Sequence, residues 1–406
     1  MAALSFADCI DRDRLSRIAE GLLIATAVAL PWSTSAVSIL MVLWLLALLP
    51  TLRWQDVRRM LLTPAGGLPV LLLLLGLAGT LWADVSLQER WRGFDSFLKL
   101  LAIPLLFVQF RTSRRAEWVF GGYVLSCVAL LAYSYMLAAW PGFPQFSREF
   151  GVPVRNAASQ SGLFVTCIAG LLYLVYERVT RRQSAWAGAQ AAVMLAMLVN
   201  IMFVATGRTA LVLFVVLVGL FAIRHLSARG IALVATVAIT AGAIGWFASP
   251  YLQTRVETIW TDLQTYQPDD RNSSGERLEF AQKSIAFIKQ APLIGHGTGS
   301  IHDLFIKASG DPGATTNPHN QTFAVAIQLG LVGAAVLWAM WIAHLLLFRG
   351  PSLVEWVGLV IVVQNVVGSL FNSHLFDFLQ GWIYVIGVGV AGGVALARRA
   401  EKPAPR

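Results

Sequence analysis

Apolar side chains run in long blocks along most of the chain, interrupted by short clusters of arginine, proline or glycine. Twelve blocks stand near residues 18–32, 34–50, 68–83, 96–110, 117–139, 160–176, 184–206, 208–223, 230–249, 320–347, 353–371 and 377–397. They are leucine-rich and do not alternate, so they lack the dyad repeat of a membrane barrel strand. Backbone groups within lipid have to be satisfied inside their own segment, which makes each block a helix. The expected fold is therefore all-α, a polytopic membrane protein with about twelve transmembrane helices.

One connection breaks the rhythm. A structureless link as long as 250–319 is uncommon unless it has work to do, so function is expected there. Ser273 with Glu276 makes a capping-box signature inside it, and Leu278, Ala281, Ile285 and Ile288 follow as an apolar stripe at helical spacing, ending around Ala291-Pro292. The chain thus divides into 1–249 with helices one to nine, 250–319 as a loop containing helices, and 320–406 with helices ten to twelve and a tail.

Composition agrees with lipid burial. With 57% hydrophobic and 13% charged residues, and a mean hydropathy of +0.65, the chain is excluded from the ordinary cytosolic enzymes. A formal charge of +9 would raise nucleic-acid binding in a soluble protein, but here arginines set topology, and no nucleic-acid partner is expected. Placing the amino terminus inside puts 19 Lys and Arg on inside segments and five on short outside segments: Arg90, Arg92, Arg148, Arg155 and Arg208. Both termini are then cytoplasmic and the long connection lies outside. No small-residue cleavage site follows the first block, which reads as a span rather than a signal. Cys9, Cys127 and Cys167 have no disulfide or zinc-ligand spacing.

Few outside residues can carry chemistry. Arg208 sits where two apolar blocks meet with almost no loop, at the outer boundary. It is either a functional cation or an arginine snorkelling to lipid headgroups. Arg277 is expected in the first turn of the loop helix, where a cation is unfavourable unless an anion binds with it; the alternative is a surface salt bridge to Glu276 or Glu279. Arg148 and Arg155 either add positive charge to the same face or are solvated.

Among the histidines, His225 and His344 read as interfacial structure, and His374 lies in a short outside turn. His319 has the best case for catalysis. With Asn317 as N-cap and Pro318 at the first helical position, it would stand at the positive end of a helix dipole, which favours the neutral imidazole of a general base. A histidine merely bonded to loop backbone is the other reading. A zinc site from His296, His302, Asp303 and His319 matches no standard spacing, and the Gly-rich run 295–299 lacks the features of a phosphate loop, so it reads as a tight turn.

Taken together, Gly207-Arg208 heading a span, Arg277 opening a helix, Ala291-Pro292-Leu293-Ile294-Gly295-His296-Gly297-Thr298-Gly299, His319-Asn320, and Gln328-Leu329-Gly330-Leu331-Val332-Gly333 resemble the O-antigen ligase and polymerase superfamily, over roughly residues 200–335. Departures from its usual pattern are His296 in place of a small apolar residue, Gln328 in place of an acid, and Arg155 before Asn156 in place of proline. The resemblance implies a GT-C-like glycosyltransferase on the periplasmic side of a bacterial inner membrane, acting on a glycan carried by undecaprenyl diphosphate. It implies that Arg208 and Arg277 hold the diphosphate and that His319 activates the acceptor hydroxyl, with no metal or other cofactor. Protein-glycosylating relatives generally carry a further carboxy-terminal region, and this chain stops soon after its twelfth block. That leaves a ligase moving O-antigen onto lipid A-core, which is preferred, and a polymerase extending it. A lipid-linked glycan transporter is the alternative class; it would need polar groups through the membrane centre, whereas these candidates gather at one face.

Overall fold

The computed structural model describes residues 11–140, 142–143, 147, 149–248, 273–311 and 313–401. Cys9, Arg148 and the first part of the long connection lie outside them. The helices are α1 (Arg12–Ala29), α2 (Thr34–Leu48), α3 (Trp54–Leu61), α4 (Pro64–Gly79), α5 (Leu87–Leu98), α6 (Ala102–Phe110), α7 (Ala116–Ala139), α8 (Ala157–Thr180), α9 (Ser184–Phe203) and α10 (Arg208–His225). They continue as α11 (Ala228–Ala248), α12 (Ser273–Gln290), α13 (Ile301–Ser309), α14 (Gln321–Leu347), α15 (Leu353–Gly368) and α16 (Phe378–Glu401). The described residues contain no strand.

Each of the twelve apolar blocks is helical over most of its length. Among the described residues, eight helical stretches are by length and composition sufficient to cross a membrane, or nine if α3 and α4, bent by 87°, count as one. Of the remaining blocks, α1 carries Arg12, Asp13, Arg14, Arg17 and Glu20, and α15 has only 16 residues. The chain is a multi-pass membrane protein.

Helix starts follow local chemistry. Asp11, Ser33, Thr63, Ser86, Asn156 and Asn320 each accept a hydrogen bond from the backbone N–H three residues on, satisfying a donor that the helix leaves unpaired. Inside the bundle α6 packs on α16 and α4 on α14. His344, expected at an interface, is fully buried instead, bonded to Ala65 O at 2.8 Å and to the Tyr384 hydroxyl at 2.6 Å. It therefore ties α4, α14 and α16 together.

A break in α14 shapes the end of the bundle that carries the candidates. Gly330 has φ 64° and ψ −165° in the middle of the helix, which leaves carbonyls without their usual partners. The 291–299 segment fills the gap: His296 N donates to Ile327 O at 2.9 Å, Gly297 N to Gln328 O at 2.9 Å, and Leu331 N to Pro292 O at 2.8 Å. The segment is also fastened to α4 by Thr298 N on Gly79 O at 3.0 Å and Thr298 Oγ1 on Gly76 O at 2.6 Å. Gly330 cannot be replaced cheaply, because a Cβ there would stand 2.2 Å from Leu293 O. The Gly-rich run is thus a structural insert in a broken helix.

Candidate active site

The long connection returns to the bundle through α12. Its inward face is not the stripe expected from spacing. Ile285 is 44% exposed, whereas Phe287 is buried and Phe280 half-buried. Both phenylalanines meet Phe305 of α13, with ring centroids 5.6 Å and 5.3 Å apart. The two aromatic rings, which bury more area than the aliphatic side chains, set the rotation of the helix. A small outer core results, in which Phe287, Ile301, Phe305, Ala324 and Ile327 are buried together.

That rotation places Arg277. Ser273 is already helical rather than an N-cap, and Arg277 follows it by four residues within the helix. The salt-bridge reading does not hold, since Glu279 pairs with Lys283 at 2.5 Å and Arg277 forms no ion pair among the described residues. The Arg277 pKa is lowered, first by partial burial of the charged end and then by the Arg208 guanidinium. Two cations held this close repel each other, and an anion between them removes the conflict.

Arg208 reaches the same region from the bundle. It is the first residue of α10, behind the N-cap Gly207. A Cβ on Gly207 would lie 2.1 Å from the Ser161 hydroxyl, so glycine lets the head of α10 approach α8 closely. Arg208 thus stands in the opening turn of α10, whose first backbone N–H groups have no partner within the helix.

His319 completes the cluster, though not by the expected route. The N-cap of α14 is Asn320, whose side chain accepts from Phe323 N at 3.1 Å, so His319 precedes the helix. Its φ is 53°, a left-handed conformation that costs a non-glycine residue about 1 kcal/mol. Asn317 does not cap the helix; its Oδ1 accepts from His319 N at 2.9 Å and from Ser373 Oγ at 2.7 Å, and its Nδ2 donates to Asn372 Oδ1 at 2.6 Å. The imidazole stacks on Phe280 with centroids 5.8 Å apart and planes 20° from parallel. Burial lowers its pKa, and Arg277 lowers it further, against a side-chain hydrogen bond with Asn372 and the Glu276 carboxylate. The neutral form expected at pH 7 follows from burial and a neighbouring cation rather than from a place inside the helix.

The structure therefore brings Arg208, Arg277 and His319 into one electrostatic neighbourhood. Arg155 is exposed in the loop before α8. His374 is buried and packs against Gly368. Three of the four residues weighed for zinc are engaged separately: His296 Nε2 meets Phe287 O at 2.8 Å, Asp303 pairs with Lys307 at 2.7 Å, and His319 stacks on Phe280. Among the described residues no group of three or more His, Cys, Asp or Glu forms a metal cage.

Phe280 and Asn372 are partners of His319 that the sequence does not single out. A signal for Phe280 is its position three residues after Arg277, on the same helical face. For Asn372, whose place depends on the turn between α15 and α16, spacing carries no signal. No curated protein matches the chain. Residues 192–338, which include Arg208, Arg277, the 291–299 insert, His319 and Gly330, match the family described as O-antigen ligase.

Proposed function

We propose that this protein is an O-antigen ligase, a glycosyltransferase that moves O-antigen from undecaprenyl diphosphate to a hydroxyl of lipid A-core on the periplasmic side of the inner membrane. The observation that carries the reading is the position of Arg277, which acts electrostatically on both Arg208 and His319. One substrate can thus have its diphosphate at the guanidiniums and its reacting sugar carbon near the imidazole.

In this reading neutral His319 takes the proton from the acceptor hydroxyl. The acceptor oxygen bonds to the anomeric carbon as the bond from that carbon to the diphosphate oxygen breaks, and undecaprenyl diphosphate leaves from the opposite face. Configuration is inverted. Arg208 and Arg277 stabilise the charge developing on the leaving diphosphate through planar, bidentate hydrogen bonds, the task a metal ion has elsewhere. Arg155 adds positive charge at the same face. Both termini lie in the cytoplasm, and the described part of the outer connection, from Ser273 onward, covers the sugars outside.

The test offers purified protein a labelled glycan on undecaprenyl diphosphate, with lipid A-core and a second lipid-linked glycan as acceptors. Label on lipid A-core is expected. Label on a lengthened lipid-linked chain makes the protein a polymerase, and label on neither overturns the enzyme reading.

A further inference from the structure

Lys99 lies within the apolar block 96–110, and an ionisable side chain there is costly unless it serves a purpose. It stands where α5 gives way to a 3-10 turn at Lys99–Leu101. Its Nζ donates to Asp377 O at 3.0 Å and Phe376 O at 3.3 Å. The room for it comes from Gly381, where a Cβ would lie 2.6 Å from Nζ. The Asp377 and Asp95 carboxylates both act on its charge.

The two carbonyls belong to the turn between α15 and α16, which is also held from a second side. Gln321 Oε1 accepts from Leu375 N at 3.0 Å and Phe376 N at 3.2 Å, while Gln321 N donates to Ser369 O at 3.0 Å. Between these fastenings the turn presents Asn372 to the His319 side chain and Ser373 to Asn317, which in turn holds His319 N.

We propose that Lys99 is a positioning residue for His319: together with Gln321 it clamps the 369–377 turn so that Asn372 holds the imidazole at the angle proton transfer requires. This rests on the proposed role of His319 as base. A staple between two helices alone would require only that Lys99 join α5 to α16. The links from Lys99 run through hydrogen bonds inside the turn, from Phe376 N and Asp377 N to Ser373 O and from His374 N to Asn372 O, and then from Ser373 and Asn372 to Asn317, which holds His319 N, rather than through the aromatic contact with Phe280. Loss of the clamp removes the Asn372 hydrogen bond, which raises the His319 pKa, and leaves burial and Arg277, which lower it, opposed only by Glu276.

Lys99→Met keeps the length and volume of the stem and removes the donors. The His319 imidazole is followed by nitrogen NMR in full-length protein labelled at histidine, a readout that needs no substrate. Its titration midpoint is expected to move to lower pH in Lys99→Met and in Gln321→Met, with a smaller movement in Lys99→Gln, which retains shorter-reaching donors. In the transfer assay kcat is expected to fall about 10- to 100-fold with KM nearly unchanged, as for a misplaced reacting group. An unchanged midpoint in folded Lys99→Met overturns the proposal; if that variant does not fold, an unchanged midpoint in Gln321→Met does so. A shifted midpoint without any loss of transfer leaves the clamp in place and removes His319 from the chemistry, so the two readings fail separately.

Discussion

His319 lies almost parallel to Phe280, ring on ring, 5.8 Å between centroids. The contact joins the helix that returns from the long connection to the head of α14, so one aromatic side chain helps to bury the proposed base. Burial is the largest cause of the lowered His319 pKa. Phe280→Ala is expected to raise that pKa toward the ordinary histidine range and to move the acidic limb of the pH–rate profile to higher pH. A profile that does not move would leave Phe280 with packing alone.

Arg277 separates charge from geometry. Arg277→Lys retains a cation beside His319, so the histidine midpoint is expected to stay near its wild-type position. Transfer is nonetheless expected to fall at least roughly tenfold, because an ammonium cannot replace a planar two-pronged donor. Arg277→Met removes the cation as well and raises the midpoint. Near-normal transfer by Arg277→Lys would contradict the diphosphate role.

Gly330 tests the broken helix. Its φ is 64°, and a Cβ at this position would lie only 2.2 Å from Leu293 O. The left-handed conformation alone costs a non-glycine residue about 1–2 kcal/mol, so with the clash added Gly330→Ala is unfavourable by more than about 2 kcal/mol. A lowered unfolding temperature in detergent is expected, together with protease access near the 291–299 insert. Wild-type stability would show that the insert does not depend on the break.

How much of the molecule is legible in the sequence depends on the range of the interaction. The apolar blocks show where helices lie, since lipid leaves the backbone no other solution. They do not show where each helix ends, as the charged start of α1 and the 16 residues of α15 become visible only in the structure. Arg208, Arg277 and His319 are legible as residue types in an order. Their meeting is not, and neither is the cause of a neutral His319: Asn320 takes the cap expected of Asn317, and Asn317 becomes the pin of the loop. The rotation of α12 is hidden because spacing weighs Ile285 and Phe287 alike, whereas packing favours the larger ring.

His374 bears on acid stability. It is buried in the turn between α15 and α16, and burial brings its pKa from 6.5 down to about 4, against a smaller opposing pull from Asp377. Between those values the unfolded chain binds a proton that the folded chain does not. Stability is therefore lost as pH falls from about 6.5 toward 4, by up to about 3 kcal/mol. His374→Asn is expected to flatten the dependence of unfolding temperature on pH between about 7 and 5. An equally steep dependence in that variant would assign the sensitivity elsewhere.

The convergence of one imidazole with two guanidiniums is tested most directly by His319→Ala. Transfer of labelled glycan from undecaprenyl diphosphate to lipid A-core is measured for that variant and for wild type, with unfolding temperature and binding of the lipid diphosphate followed on the same samples. The account predicts a folded protein that still binds the diphosphate and transfers no glycan above background; turnover at the wild-type rate would contradict it.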